Sequence, residues 1–397
     1  MMTDNVTSPN EAAFDPETAR LFAELGTRPV INAAGAYTML GGSTLSPGVR
    51  AAMEAANRSF VDMKTLFEGS GRVIAGMLGV EAAYVTSGGA AALALSVAAC
   101  LTRGHRDYLE RLPDTEGIPN QIVVQKSTRQ KYDHCLTIPG ARIVEAGDES
   151  GLTPLQLEAA IGPRTTAVHY FVPLQGDSPG VPSLESVIEV AHAHGLPVVV
   201  DAAGHTYPTD NLRRFVRAGA DLVCYANKYF DAPHSTGLVL GKKDYVDLVA
   251  LNSFIGFETS DYHTLGRAMK VDRQEVFATV VALREWLAMD HEARFLLYGE
   301  RAERVLRGLK GVPVVEAYRI SEREMPRPVI RDGVRLVLRD AAAAQRLVAA
   351  LRDGDPSVWV RVDDDRADCV NVSVAFCSDA ELEVVIRRLD EVLGMQR

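Results

Sequence analysis

The chain has 397 residues, 47% hydrophobic and 24% charged, an ordinary composition for a folded enzyme and enough for a large domain with a smaller companion. A net charge of -10 and the lack of any Lys/Arg run argue against a protein whose main partner is nucleic acid, since phosphate binding needs a basic face. Five cysteines (Cys100, Cys135, Cys224, Cys369, Cys377) form no Cys-x-x-Cys pair and read as small core residues in a reducing compartment, with no metal centre expected. Met1 to Arg20 has no apolar signal region, and Ala90 to Leu101 is too short to span a bilayer, so a cytoplasmic protein with no membrane partner is expected.

Residues 1–27 read as a tail with a short helix, Pro16 to Leu25, stopped by Gly26. Val30 to Ala36 and Leu40 to Thr44 are rich in Gly, Ser and Thr, which suits either close backbone approach or a simple connector. Ser46-Pro47 opens a helix through Arg58, and residues 68–79 form another. Ala82 to Thr86 is a short buried strand that runs into Ser87-Gly88-Gly89 and an Ala/Leu helix to Thr102. Such a strand, Ser/Gly turn and helix binds anions through backbone N–H groups and the helix dipole, or is only a tight turn. Residues 104–120 are an exposed excursion.

Ile122 to Val124, Ala141 to Glu145, Thr165 to Val172 and Pro197 to Asp201 read as strands, the last ending on a carboxylate. Helical patterns cover Thr153 to Ile161, Ser183 to Gly195 and Asn211 to Ala218. Leu222 to Cys224 leads to Lys228, a loop with Pro233 and Gly237 follows, and Leu238 to Leu240 closes it. A lysine there suits a partly desolvated amine reaching into a cleft to form a Schiff base; taken alone it also suits a surface lysine on a hairpin.

Helices alternating with near-continuous apolar strands predict an α/β domain, a mostly parallel sheet covered by helices, with ligands outside the strands' C-terminal ends. The Thr86–Gly89 turn, the 125–134 segment, Asp201 and Lys228 all fall at such ends. After residue 250 a long helix (Asp272 to Asp290, with helical residues to Lys310) precedes a strand Val334 to Leu338, a helix Ala341 to Leu351, strands Val358 to Val362 and Cys369 to Val374, and a helix Asp379 to Leu393. The division predicted is a tail (1–27), a large α/β domain (28–265), and a long helix with a small α+β domain (266–397).

A phosphate cradle, a buried aspartate at a strand end and a lysine 27 residues later are what pyridoxal 5′-phosphate asks of a protein. The phosphate needs a helix N-terminus, the pyridine nitrogen a carboxylate, and the aldehyde an amine. Together with Gly41-Gly42-Ser43-Thr44, Val85 to Ala91, Gln125-Lys126 with Tyr132-Asp133-His134, Val199 to Ala203, and Gly219 to Leu238, these residues resemble the fold-type I pyridoxal phosphate enzymes. Within them the chain is most similar to the group of selenocysteine synthase (seryl-tRNA selenium transferase) and the D-glucosaminate-6-phosphate ammonia-lyase-like proteins, over roughly residues 28–395.

The resemblance implies that Lys228 is the Schiff-base lysine and Asp201 the pyridinium partner, with Thr86, Ser87, Gly88 and Gly89 on the phosphate. His134 would pack on the ring face, with Tyr132 or Thr128 as rivals and a plain surface position as the alternative. Ser235 and Thr236 would reach the neighbouring subunit's phosphate in a homodimer or higher oligomer. Tyr225-Ala226-Asn227 before the lysine, Ala232-Pro233-His234 after it, and His205 in place of an acidic residue depart from the pattern. Tyr225 and His205 are therefore the expected substrate contacts. Arg361 is expected to hold the substrate carboxylate, with Arg331 and Arg335 as alternatives. The activity implied is an α,β-eliminating lyase, releasing ammonia or water from a small amino acid or amino sugar acid. A racemase, aldolase or aminotransferase needs the same core residues. The acidic balance disfavours a tRNA-dependent selenium transferase.

Overall fold

A computed structural model describes residues 15–173, 180–312, 314–324 and 329–394. Helix α1 (Pro16–Glu24) starts at Asp15, whose carboxylate accepts from the Glu17 and Thr18 N–H groups, and has proline in its first turn. Strand β1 (Ile31–Asn32) follows. The Ser46 hydroxyl caps α2 (Pro47–Asn57), accepting from the Val49 N–H at 3.0 Å and donating to the Glu285 carboxylate at 2.6 Å. Helix α3 (Met63–Leu78) begins at the Asp62 cap, a turn before the apolar periodicity becomes visible, and ends on left-handed Gly79.

Then come β2 (Ala82–Thr86), α4 (Gly88–Thr102), α5 (Arg106–Arg111), β3 (Gln121–Gln125), α6 (His134–Thr137), β4 (Arg142–Ala146), α7 (Pro154–Ala160) and β5 (Thr165–Phe171). They are followed by α8 (Leu184–Ala193), β6 (Val198–Asp201), α9 (Asn211–Arg217), β7 (Leu222–Ala226), β8 (Gly237–Gly241), α10 (Lys243–Asn252), α11 (Phe254–Thr259) and α12 (Arg273–Ala288). The last elements are α13 (His291–Gly308), β9 (Glu316–Ile320), β10 (Gly333–Val337), α14 (Ala341–Arg352), β11 (Val358–Trp359), β12 (Arg361–Val362), β13 (Cys369–Ser373) and α15 (Asp379–Gly394).

The chain divides into two compact units, residues 43–289 and residues 1–42 together with 290–397. This differs from the sequence-based division in two places. Helix α12 belongs to the larger unit, because it packs along α2 and α3. Residues 28–42 belong to the smaller one, because Ile31 pairs with Val358 and the Ala33 carbonyl accepts from the Ser373 N–H.

In the larger unit the described residues form a seven-stranded sheet in the order β2-β8-β7-β6-β5-β3-β4. Strands β3 to β7 are parallel, and β8 runs antiparallel between β2 and β7. Register assigns the side chains to faces, since residues directly opposite each other point the same way and alternate along a strand. His169 lies opposite Val199, and Phe171, Asp201 and Cys224 form one row across β5, β6 and β7. The Cys224 sulfur is 3.3 Å from the Ser96 hydroxyl of α4, so this row faces α4. Val168, Val198, Val200, Val223 and Tyr225 point to the other face. Helix α4 carries no charged side chain and is buried from Ala91 to Thr102, which suits a helix lying on a sheet centre.

The smaller unit has a four-stranded antiparallel sheet, β12-β13-β10-β9, and a separate parallel pair, β1-β11. The apolar run Val358 to Val362 is thus two strands with different partners, broken at Val360. Arg335 is fully enclosed here: its guanidinium donates to Asp363 at 2.5 Å and to the Asn371 side-chain oxygen at 3.0 Å, and the Asn371 amide donates to Asp363 at 2.8 Å. That closed network makes Arg335 a structural residue, so it drops out as an alternative carboxylate anchor. Arg331 adopts a left-handed backbone (φ 60°) with its guanidinium 5.0 Å over the Phe376 ring.

Candidate active site

Two of the ends that matter are brought together by β8, and β7 sets the end of β6 beside them. Gly237 opens β8 opposite Thr86 on one side and Ala226 on the other, so the turn after β2 and the turn after β7 become neighbours. Contact is close: a Cβ on Gly89 would stand 3.2 Å from the Ala226 Cβ, and one on Gly237 would stand 2.4 Å from the Gly88 carbonyl. Gly88 itself has φ +86°, a conformation L side chains avoid. The Thr86 hydroxyl donates to the Gly88 carbonyl at 3.1 Å and holds the turn. Ser87 occupies the N-cap of α4, but its hydroxyl makes no capping hydrogen bond. The first-turn N–H groups of this 15-residue helix have no partner within it. Hydroxyl, N–H groups and dipole together make a cradle for a phosphate dianion.

Lys228 lies in a 3-10 turn, Asn227–Phe230, that leaves the end of β7. The Asn227 N–H donates to the Thr236 carbonyl at 3.1 Å, the Thr206 hydroxyl donates to the Tyr229 carbonyl at 2.9 Å, and left-handed Asp231 ends the turn. Lys228 is 9% exposed, with its Nζ 5.1 Å above the Tyr229 ring. It is therefore a buried amine, not a solvated hairpin charge. His234, further along the loop, is pushed below the usual imidazole range by partial burial and by the Lys228 charge.

Asp201 ends β6, 4% exposed. Burial, the largest influence, raises its carboxyl to about 6; the Ala203 N–H, donating at 3.0 Å, opposes this, and the Asp133 carboxylate adds to it. A buried carboxylate with one backbone donor is poised to pair with a cationic N–H.

The other predicted contacts divide. The His205 Nε2–H donates to the Pro173 carbonyl at 3.1 Å, its Nδ1 has no partner among the described residues, and burial, chiefly, lowers its pKa to about 4, so it is neutral at physiological pH. The Thr236 hydroxyl donates to the Pro233 carbonyl at 2.8 Å, and the exposed Ser235 hydroxyl donates to the Glu275 carboxylate. Tyr225 requires a correction. It is fully buried on the sheet face away from α4, with its hydroxyl donating to the Asn211 carbonyl at 2.8 Å, so it is a core residue and not a substrate contact. His134 is exposed on α6, and Tyr132 beside it is 55% exposed. Arg361 belongs to the smaller unit, where it bonds the Asp364 carboxylate at 3.0 Å and lies 5.0 Å over the Tyr37 ring.

Two buried titratable residues were given no role by the sequence reading. Asp133 turns inward beside exposed His134 and accepts from the Arg129 side chain at 2.6 Å and the Gln130 N–H at 3.1 Å. His169, 4% exposed in mid-strand, has no hydrogen-bond partner on either ring nitrogen among the described residues. The only sequence signal was a histidine inside an otherwise apolar strand.

No protein-family model matches the chain. It is 34% identical over 406 residues to 5′-C-glycyluridine monooxygenase-decarboxylase of a Streptomyces species, covering 97% of this chain and 96% of that protein. It is 29% identical over 381 residues to D-glucosaminate-6-phosphate ammonia lyase of Salmonella typhimurium (strain 14028s / SGSC 2262), covering 94% and 98%. A solved structure of a D-glucosaminate-6-phosphate ammonia-lyase superposes with a TM-score of 0.77 at 27% identity, over 94% of this chain and 98% of that one. With its glycine turn, strand-end aspartate and buried lysine in one place, the chain belongs to the fold-type I pyridoxal phosphate-dependent enzymes, in the group of D-glucosaminate-6-phosphate ammonia lyase.

Proposed function

We propose that this enzyme is a pyridoxal phosphate-dependent lyase that releases ammonia or water from a small amino acid or amino sugar acid. The observation carrying this reading is the junction of β2, β8 and β7, which joins an anion cradle to a buried lysine beside the strand that ends at Asp201. The cofactor fits these residues: Ser87, Gly88 and Gly89 would hold the phosphate, Asp201 the ring nitrogen and Lys228 the aldehyde carbon. When bound, it supplies an electron sink for the pair left at the substrate's α-carbon.

The chain's own residues do the rest. Asp201, as a carboxylate, would keep a proton on the cofactor's ring nitrogen, and its low-dielectric setting would strengthen that pairing. Lys228, once its amine is free, would take the α-proton from its buried position at the end of β7. The same ammonium then protonates the departing group. Neutral His205, its Nε2–H already donated to the Pro173 carbonyl, would accept a hydrogen bond from the substrate at Nδ1, Arg361 would pair with the substrate carboxylate, and His134 would pack on the cofactor ring.

A homodimer is part of this proposal. Phe60 is 96% exposed, and Val61, Leu66, Val276, Phe277, Val280 and Val281 line an apolar groove between α3 and α12. In such a dimer exposed Ser235 would be the residue to approach the neighbour's phosphate, whereas Thr236 is fully buried with its hydroxyl donated to the Pro233 carbonyl. Free cysteines, and the lack among the described residues of a helix long and apolar enough to cross a membrane, accord with the proposed cytoplasmic location.

The decisive experiment compares the wild type with Lys228→Ala. The wild type should show visible absorbance from bound cofactor, and should release ammonia and a keto acid from some member of an amino acid and amino sugar acid panel. The variant should lose that band and at least roughly 10³-fold of the activity. A colourless wild type that takes up no added cofactor would overturn the reading. The 34% identical relative bears a monooxygenase-decarboxylase name, which supports a second reading with the same residues. Oxygen uptake with carbon dioxide release, in place of ammonia release, would select it.

A further inference from the structure

His169 is the buried titratable group that the proposed chemistry does not use. Its strand pairs with β6, where His169 lies opposite Val199, two residues before Asp201 on the same α4-facing side. The two side chains are therefore diagonal neighbours, one strand apart and two residues along, about 8 Å between backbone positions. Asp133, 3% exposed, is close enough for its charge to act on both His169 and Asp201. The other titratable groups facing this cluster are Arg129, paired with Asp133, and Cys135 from the segment after β3, together with Cys224 on β7. Helix α4, packed over the same face, contributes no charged side chain.

An imidazole that is fully enclosed with both nitrogens unpartnered is unusual, because burying polar atoms without hydrogen bonds is costly. Burial keeps the ring neutral, so it has one donor and one acceptor to offer. Two polar side chains on one face at such a diagonal can be joined through a single water.

We propose that His169 is a positioning residue for Asp201, linked to it and to Asp133 through buried water, and that this link holds the strand-end carboxylate ionised and aimed at the cofactor. It rests on the reading of Asp201 as the ring-nitrogen partner. The neutral ring anchors the water, and the water donates to Asp201. Without the link, Asp201 would keep its proton to higher pH and would not pair with a cationic ring nitrogen.

The test is cofactor retention by the holoenzyme, read as bound-cofactor absorbance after dialysis at a series of pH values, for the wild type, His169→Phe and His169→Gln. Retention should fall off on the acid side in all three. For His169→Phe the fall should lie about one pH unit higher, so that at pH 6 the cofactor is held about tenfold less tightly. His169→Gln, which keeps a donor and an acceptor but does not titrate, should stay near the wild-type profile. A His169→Phe profile that coincides with wild type would overturn the proposal. So would equal displacement in both variants, since that would mean the ring only fills space. A wild type that holds no cofactor at any pH would instead overturn the reading of the site as a whole.

Discussion

Gly237 and Thr86 stand opposite each other at the end of the β2–β8 ladder, and a Cβ on Gly237 would lie 2.7 Å from the Thr86 hydroxyl. The same added atom would meet the Gly88 carbonyl carbon and oxygen at 2.4 Å. Backbone at that distance cannot yield without moving the whole Ser87–Gly89 turn. Gly237→Ala should therefore leave a folded protein whose cofactor affinity is at least about tenfold lower, measured by titration of the cofactor-free protein. Unchanged affinity would show that the turn does not hold the phosphate.

Asp201 gives a stability prediction with a definite sign. Its folded-state pKa of about 6 lies above the ordinary value of 3.8. The folded state thus holds the proton more tightly, and the associated stability is complete below pH 3.8 and lost as pH rises through 6. Asp201→Asn, uncharged throughout, should stabilise the cofactor-free protein at pH 8 by up to about 3 kcal/mol and abolish the difference near pH 3.5. Denaturant titrations at the two pH values measure this. The same variant should bind cofactor poorly, separating fold stability from function.

Tyr225→Phe removes the donor to the Asn211 carbonyl from a fully buried position. The expected loss is about 1–2 kcal/mol of stability, with kcat and KM within twofold of wild type. A large rise in KM would return Tyr225 to the substrate site.

Arg361→Ala tests the proposed carboxylate contact. KM should rise at least about tenfold with kcat little changed, as expected for lost uniform binding. A KM that does not move would remove Arg361 and leave Arg331 as the alternative.

How much of this was legible follows from what each feature depends on. Ala82 to Thr86, the helix that follows and Asp201 at the end of β6 are set by local apolar runs and Gly/Ser turns, so the sequence pattern locates them within a residue. Which way a side chain faces depends on register and on what covers each side of the sheet. Tyr225 and Lys228 are three residues apart, and only pairing with β6 and β8 shows that Tyr225 points to α9 while Lys228 follows a turn at the strand end. Asp133 and His169 were hidden for the same reason. The edge strand β9 was missed because it is half exposed and shows no alternation, and Val358 to Val362 read as one strand because apolarity does not reveal a change of partner. The small unit's membership was illegible because its two halves lie at opposite ends of the chain.

That last arrangement has a temporal side. Arg28 donates to the Gly354 carbonyl across 326 positions, and β1 has no strand partner but β11 among the described residues. At a synthesis rate of roughly 5–20 residues per second, the N-terminal segment waits roughly 15–60 s for its partner strand to be made. Through that interval Ile31 and Ala33, both fully buried in the finished unit, have no core to enter. The larger unit is contiguous in sequence and can complete its sheet as soon as residue 289 is clear of the ribosome. The smaller one closes last, which makes Ile31 and Ala33 the buried side chains that stay uncovered longest while the chain is still growing.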